Sequence, residues 1–155
     1  MTENTTRFSF HLVDTVPFSL LGGENVGSVI SVVAASIVVL VLSSAYYALL
    51  TPAEKRLLGE RAPDRGDRPP PLKILLELAR SLVVAAVIAG LARYAGLTGV
   101  GPVVVLGLVL WVGFPAMLLT GSTMWEKTPA VTAALHAGDW LIKILATSAI
   151  VGAWL

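Results

Sequence analysis

The chain has 155 residues, of which 55% are apolar and 14% charged, with a formal net charge of +1 and a mean hydropathy of +0.80. Soluble domains carry about 25% charged residues, so this composition excludes an ordinary soluble domain, and a charge so near zero gives no ground for nucleic-acid binding. The lack of cysteine excludes disulfides, thiolate metal sites and thiol nucleophiles, and two histidines are too few for a zinc cluster, so neither metal nor cofactor is expected.

Residues 1–25 are mostly polar or mixed. Phe8, Phe10, Leu12, Val16, Phe18 and Leu20 follow no helical spacing and read as a loose segment, extracytoplasmic or lying along the outer membrane interface. A secretory signal starts closer to the amino terminus and has a shorter apolar core, so the run that follows reads as an uncleaved helix. That run, residues 26–50, contains no charge and exceeds the roughly 20 residues needed to cross the hydrocarbon core. Its Val/Ile-rich centre would suit a strand in a shorter segment, but an isolated strand in lipid leaves its backbone unpaired.

Residues 51–71 form the one sizeable loop. Thr51, Pro52 and Glu54 predict a capping box for a short helix that Gly59 ends, and Pro69, Pro70 and Pro71 extend the chain beyond it. Lys55, Arg56, Arg61, Arg65 and Arg68 lie in this loop, with Lys73 just past it. The positive-inside rule therefore places the loop in the cytoplasm and both termini outside, leaving Arg7 and Arg93 as outside basic residues and Lys127 as an inside one. Glu54, Glu60, Asp64 and Asp67 dilute the positive charge, so the loop reads as an orientation signal with solvated charges and not as a site for anionic lipid.

The second helix, residues 72–94, carries Lys73, Glu77 and Arg80 in its first half and reads as apolar after that. A tight hairpin through Thr98 and Gly99 leads to a third helix, residues 100–119, where Pro102 sits harmlessly in the first turn and Pro115 should kink or loosen the helix. Thr128 as N-cap and Pro129 at the first helical position open a fourth helix, residues 129–155. Trp125 and Trp154 fall near span ends, where interfacial tryptophan is common. The fold expected for residues 26–155 is an all-α integral membrane protein, an antiparallel bundle of four transmembrane helices, with membrane lipids around it and a homo-oligomer or a membrane partner protein as further options. Small residues four apart, Ala86 with Gly90, Ala134 with Gly138 and Ser148 with Gly152, allow close helix approach and favour packing inside the bundle over dimerisation.

His136, Asp139 and Lys143 are spaced i, i+3 and i+7 and share one stripe of the fourth helix. Ionisable groups inside a membrane are costly, about 2.5–3.5 kcal/mol for Asp, Lys or Arg at a helix centre, so they should face protein and find partners. Counting about 1.5 Å per residue from the cytoplasmic ends sets Glu77 level with His136 and Arg80 level with Asp139, which predicts those two pairs, with Asp139 also bonded to Lys143 one turn on. Glu77, Arg80, His136, Asp139 and Lys143 form the candidate binding cluster. It reads first as an ion-pair network fixing which helix packs on which, second as the lining of a path for protons or a small solute, and last as an acid–base couple acting on a lipid, since no nucleophile motif, metal set or phosphate loop accompanies it. The functional expectation is a non-enzymatic membrane protein, either a pathway or an accessory subunit, with a membrane enzyme acting on lipid as the alternative.

Several segments carry a resemblance to a known family: Gly107 with Leu110-Trp111-Val112-Gly113-Phe114, then Trp125-Glu126, Ala137-Gly138-Asp139-Trp140 and Ile150-Val151-Gly152-Ala153-Trp154, with a weaker element at Ala45-Tyr46-Tyr47. In these the sequence resembles the bacterial membrane proteins grouped as domain of unknown function family 1761, most closely over the last fifty or so residues. Where that family tends to have a Trp-Tyr pair and a loop tryptophan, this chain has two tyrosines and no loop tryptophan. The resemblance implies a four-helix membrane protein of the bacterial cell membrane and no established activity, and so transfers no catalytic or binding residues.

Overall fold

The computed structural model describes residues 25–64 and 70–155. The interfacial reading of residues 1–24 and the positions of Arg65, Asp67, Arg68 and Pro69 fall outside the described residues. Five α-helices follow in chain order: α1 (Asn25–Leu58), α2 (Pro71–Tyr94), α3 (Val100–Trp111), α4 (Met117–Trp125) and α5 (Ala130–Trp154), with no strand among the described residues. A π-helical turn, Val112–Ala116, joins α3 to α4 into one continuous rod, so four helical rods are long and apolar enough to cross a membrane.

Two boundaries differ from the expectation by several residues. The first helix does not stop at Leu50 for a separately capped segment but runs on to Leu58 with Pro52 inside it. Proline at that position removes one backbone hydrogen bond, yet the helix continues because its far end still packs on α5. Glu54, expected to cap a local turn and face solvent, is instead 1% exposed and accepts a 2.7 Å hydrogen bond from the Thr132 hydroxyl of α5. At 34 residues, α1 is about 51 Å long and overshoots a hydrocarbon core of about 30 Å. The Gly59 stop is where the sequence puts it, with φ +54° in the left-handed region that favours glycine. The third rod, expected to end at Leu119, extends to Trp125.

Pro115 lies inside the π turn, the loosening its missing N–H and ring bulk impose on the helix before it. The turn between α2 and α3 is a Schellman motif: the Leu97 amide donates to the Ala92 carbonyl at 2.8 Å and the Gly96 amide to the Arg93 carbonyl at 3.0 Å, with Gly96 at φ +64°. At the α4–α5 connection the cap shifts by one residue. Pro129 is the N-cap of α5, and the Thr128 hydroxyl lies 2.8 Å from that of Ser122.

The least apolar of the four rods, α5, is also the most buried: 39% of its apolar window is shielded, against 17–28% in the others. It is packed by α1, α3, α2 and α4. Buried positions on α1 include Ser31, Ala35, Val39 and Ser43, four residues apart, which lay one ridge along α5, with Ser36 buried beside it. The contacts pair the start of α1 with the end of α5, Gly27 against Trp154, and the end of α1 with the start of α5, Glu54 against Thr132. The α3–α5 seam is the tightest. A Cβ built on Gly152 would come within 2.9 Å of the Gly99 carbonyl oxygen and the Val100 Cα, and one on Gly107 would collide with the Ser148 hydroxyl. Ser148 and Gly152 therefore act as the inward-packing small pair, whereas Ala86 and Gly90 are exposed. Beside this seam lies the apolar core of Ile88, Ala89, Ala92, Val103, Ile144 and Val151. Large apolar side chains such as Val41, Val83 and Val109 point outward at 62–63% exposure, the reverse of a water-soluble helical protein.

Candidate functional site

Three helices build the polar cluster. On α5, Asp139 and Lys143 are one turn apart on the buried face, and the Lys143 ammonium lies 2.7 Å from Asp139 Oδ2, the acid-before-base order that suits a helix. α2 presents Glu77, whose Oε1 is 2.6 Å from Lys143 Nζ. From α1, the Ser43 hydroxyl donates to Asp139 Oδ1 at 2.6 Å. Arg80 closes the group from the outside: its guanidinium is 2.8 Å from Glu77 Oε2 and lies over the Trp140 ring, 5.0 Å from the centroid, within cation–π range. The Asp139 and Lys143 side chains are 3% and 5% exposed, Glu77 and Arg80 27% and 49%. Two carboxylates and two cations leave the group neutral, as burial in a low dielectric requires.

All five residues chosen from the sequence lie in this region, but the pairing is not the one expected. Glu77 does not bond His136, and Arg80 does not bond Asp139. Lys143 takes both carboxylates, so a cation bridges two acids where an acid bridging two cations was anticipated. The reason is geometric. The expected pairs matched Cα heights, whereas side chains on a helix lean toward its N-terminus, which drops the long Lys143 side chain about a turn to the level of Asp139 and Glu77. His136 turns to α1 instead, its Nδ1 2.6 Å from the Tyr47 hydroxyl.

The sequence reading missed three side chains that complete the site: Ser43, Tyr46 and Tyr47. Tyr46 donates to the Leu135 carbonyl at 3.0 Å and its hydroxyl sits against Gly138, where a Cβ would collide with it. Trp111 reaches the same stretch from α3, its indole N–H 3.0 Å from the Ala137 carbonyl. Ala45-Tyr46-Tyr47, Trp111 and Ala137-Gly138-Asp139-Trp140, three segments that carry the resemblance, thus meet at one level of α5. That meeting was the available signal, since tyrosines and a serine near the end of an apolar helix have few reasons to be there unless they bond across it.

The arrangement is a chain of direct contacts from Ser43 through Asp139, Lys143 and Glu77 to Arg80, with little open space beside it. The place between the two carboxylates, where a metal ion would sit, is taken by the Lys143 ammonium. The cavity touching the network, lined by Arg80, Ser81, Trp140, Lys143 and Thr147 among others, has a volume of about 10 Å³, room for about one water. A larger groove of about 810 Å³ runs between α1 and α2 from Ser28 to Tyr94 and shares no residue with the network.

No curated protein and no solved structure matches the chain. Residues 30–152, which take in all of the clustered residues, match the family described as "Protein of unknown function (DUF1761)", and the chain belongs to that family.

Proposed function

We propose that the chain is an integral protein of a bacterial cell membrane whose four rods cross in antiparallel order with both ends outside, and that it works without chemistry of its own, as an accessory or scaffold subunit. The observation that carries this reading is the self-satisfied charge network. Glu77, Arg80, Asp139 and Lys143 neutralise one another across α2 and α5, Ser43 ties α1 to them, and the adjoining space holds about one water. Such a network specifies which helices meet and at what register. A solute pathway calls for a wider lining at Asp139. A lipid-directed acid–base couple calls for His136 and Asp139 to share a substrate face, but they take different partners, Tyr47 on one side and Ser43 with Lys143 on the other. The orientation rests on the basic residues at the end of α1, Lys55 and Arg56, together with Arg61.

The test is flux. In proteoliposomes with a trapped pH dye and a potassium diffusion potential, the protein is expected to move protons no faster than protein-free vesicles. Proton entry that depends on the protein and is abolished by Asp139→Asn would replace the scaffold with a pathway. Topology reporters fused at residue 66 and after Leu155 are expected to signal from the cytoplasm and from outside, respectively.

A further inference from the structure

Resting on the membrane reading just given, we infer that α2 is the interface of a homodimer, held by exchange of the Glu77–Arg80 ion pair between two copies. Arg80 lies nine residues past Pro71, the start of α2, which is about 13 Å along the helix and well inside the hydrocarbon region. Its side chain is nevertheless half exposed on the outer surface of the bundle, where lipid offers the guanidinium no acceptor beyond Glu77. A charge in that position is expected to be covered by protein.

The face around it has the pattern of a helix partner. Leu76, Arg80, Val83, Val87, Gly90 and Tyr94 are all exposed and spaced 4, 3, 4, 3 and 4 residues apart, the 3.5-residue period of a helix seam. None of the six is needed for the core of the chain itself. Two copies inserted the same way round are related by a twofold axis along the membrane normal, which places α2 beside α2 in parallel. A twofold interface must be self-complementary, and this one is. Glu77 and Arg80 carry opposite charges one turn apart beside the seam, so the guanidinium of each copy can reach the carboxylate of the other while Lys143 continues to hold Glu77 from inside. Small Gly90 near one end of the stripe lets the backbones approach. The charge pair sets register and the apolar positions supply the contact.

The chain has no cysteine, so single reporters can be introduced into the full-length protein. Val83→Cys and Val87→Cys, oxidised with copper phenanthroline in native membranes, are expected to give a band at twice the monomer mass of 16.3 kDa. Val109→Cys, equally exposed on α3, is expected to stay monomeric. Adding Arg80→Leu, which leaves Glu77 its Lys143 bond, is expected to raise the dimer dissociation constant in diluted vesicles by roughly tenfold. Monomer at positions 83 and 87 means that lipid covers the face, a product of another mass means a different protein does, and equal yield at 83 and 109 means random collision; each overturns the proposal. Carbonate washing of the same membranes separates the two readings. Release of the chain sinks the membrane assignment, while a retained monomer sinks only the dimer.

Discussion

Replacing Lys143 by methionine isolates the part of the network that matters most. The two side chains have similar length, so packing is preserved while the ammonium, 2.6 Å from Glu77 and 2.7 Å from Asp139, disappears. The consequences for the two acids differ. Glu77 is partly exposed and keeps Arg80 at 2.8 Å. Asp139, 3% exposed, is left with the Ser43 hydroxyl as its remaining bond in the network and becomes a buried carboxylate without a cation. Removing one partner of a buried pair costs about 3–5 kcal/mol; with one acid of two stranded, the lower end applies, about 3 kcal/mol. Adding Asp139→Asn removes the stranded charge while Ser43 can still donate to the amide oxygen, so the double variant is expected to lie within about 1 kcal/mol of the parent. Reversible unfolding in mixed micelles, followed by tryptophan fluorescence, measures both, and Trp140 reports from 5.9 Å away from the ammonium. If Lys143→Met costs under about 1 kcal/mol, or if the double variant is no more stable than the single, the network is not what holds α2 and α5 together.

Other variants probe the packing. Gly152→Ala is expected to cost about 1–3 kcal/mol in the same unfolding assay because its Cβ meets backbone of α3 at 2.9 Å. Gly121→Ala, with nothing within 4 Å of its Cβ, is expected to stabilise α4 by up to about 1 kcal/mol, read as a raised melting temperature. Ser148→Ala should be neutral or stabilising by about 1 kcal/mol, since the buried Ser148 hydroxyl has no hydrogen-bond partner among the described residues; a clear loss of stability would show a partner for it. Thr132→Val is expected to cost about 1.5–3 kcal/mol by withdrawing one donor from buried Glu54, with hydrogen exchange rising first over the last two turns of α1.

The existence and number of the four helical rods long and apolar enough to cross a membrane were legible because long charge-poor apolar runs favour helices over strands. The positions of Gly59 and Pro115 were legible for the same kind of reason: each forbids or demands one backbone shape. The end of α1 was not. Thr51, Pro52 and Glu54 form a sound local signal for a new helix, and tertiary packing overrode it when Glu54 found Thr132, 78 positions away. The identity of the polar residues was likewise legible from their cost in lipid, whereas their partners depended on side-chain lean and helix face, which height along an axis does not encode. Ser43 and Tyr47 stayed hidden because a serine or tyrosine near the end of an apolar helix signals a bond across it without naming the acid or imidazole it meets.

This division bears on how the bundle is put together. α5 contains His136, Asp139 and Lys143, and on insertion scales the last two alone cost about 2.5–3.5 kcal/mol each near a helix centre. α1 and α2 precede it in the chain and hold the groups that offset this: Ser43 and Tyr47 on the first, Glu77 on the second. They present a prepared polar face, and α5 enters as the helix that completes it, which is why the least apolar rod ends up the most enclosed. On this argument the network is a condition for placing the last helix. Arg80, bonded to Glu77 yet half exposed, is the member of the network that this enclosure leaves at the surface.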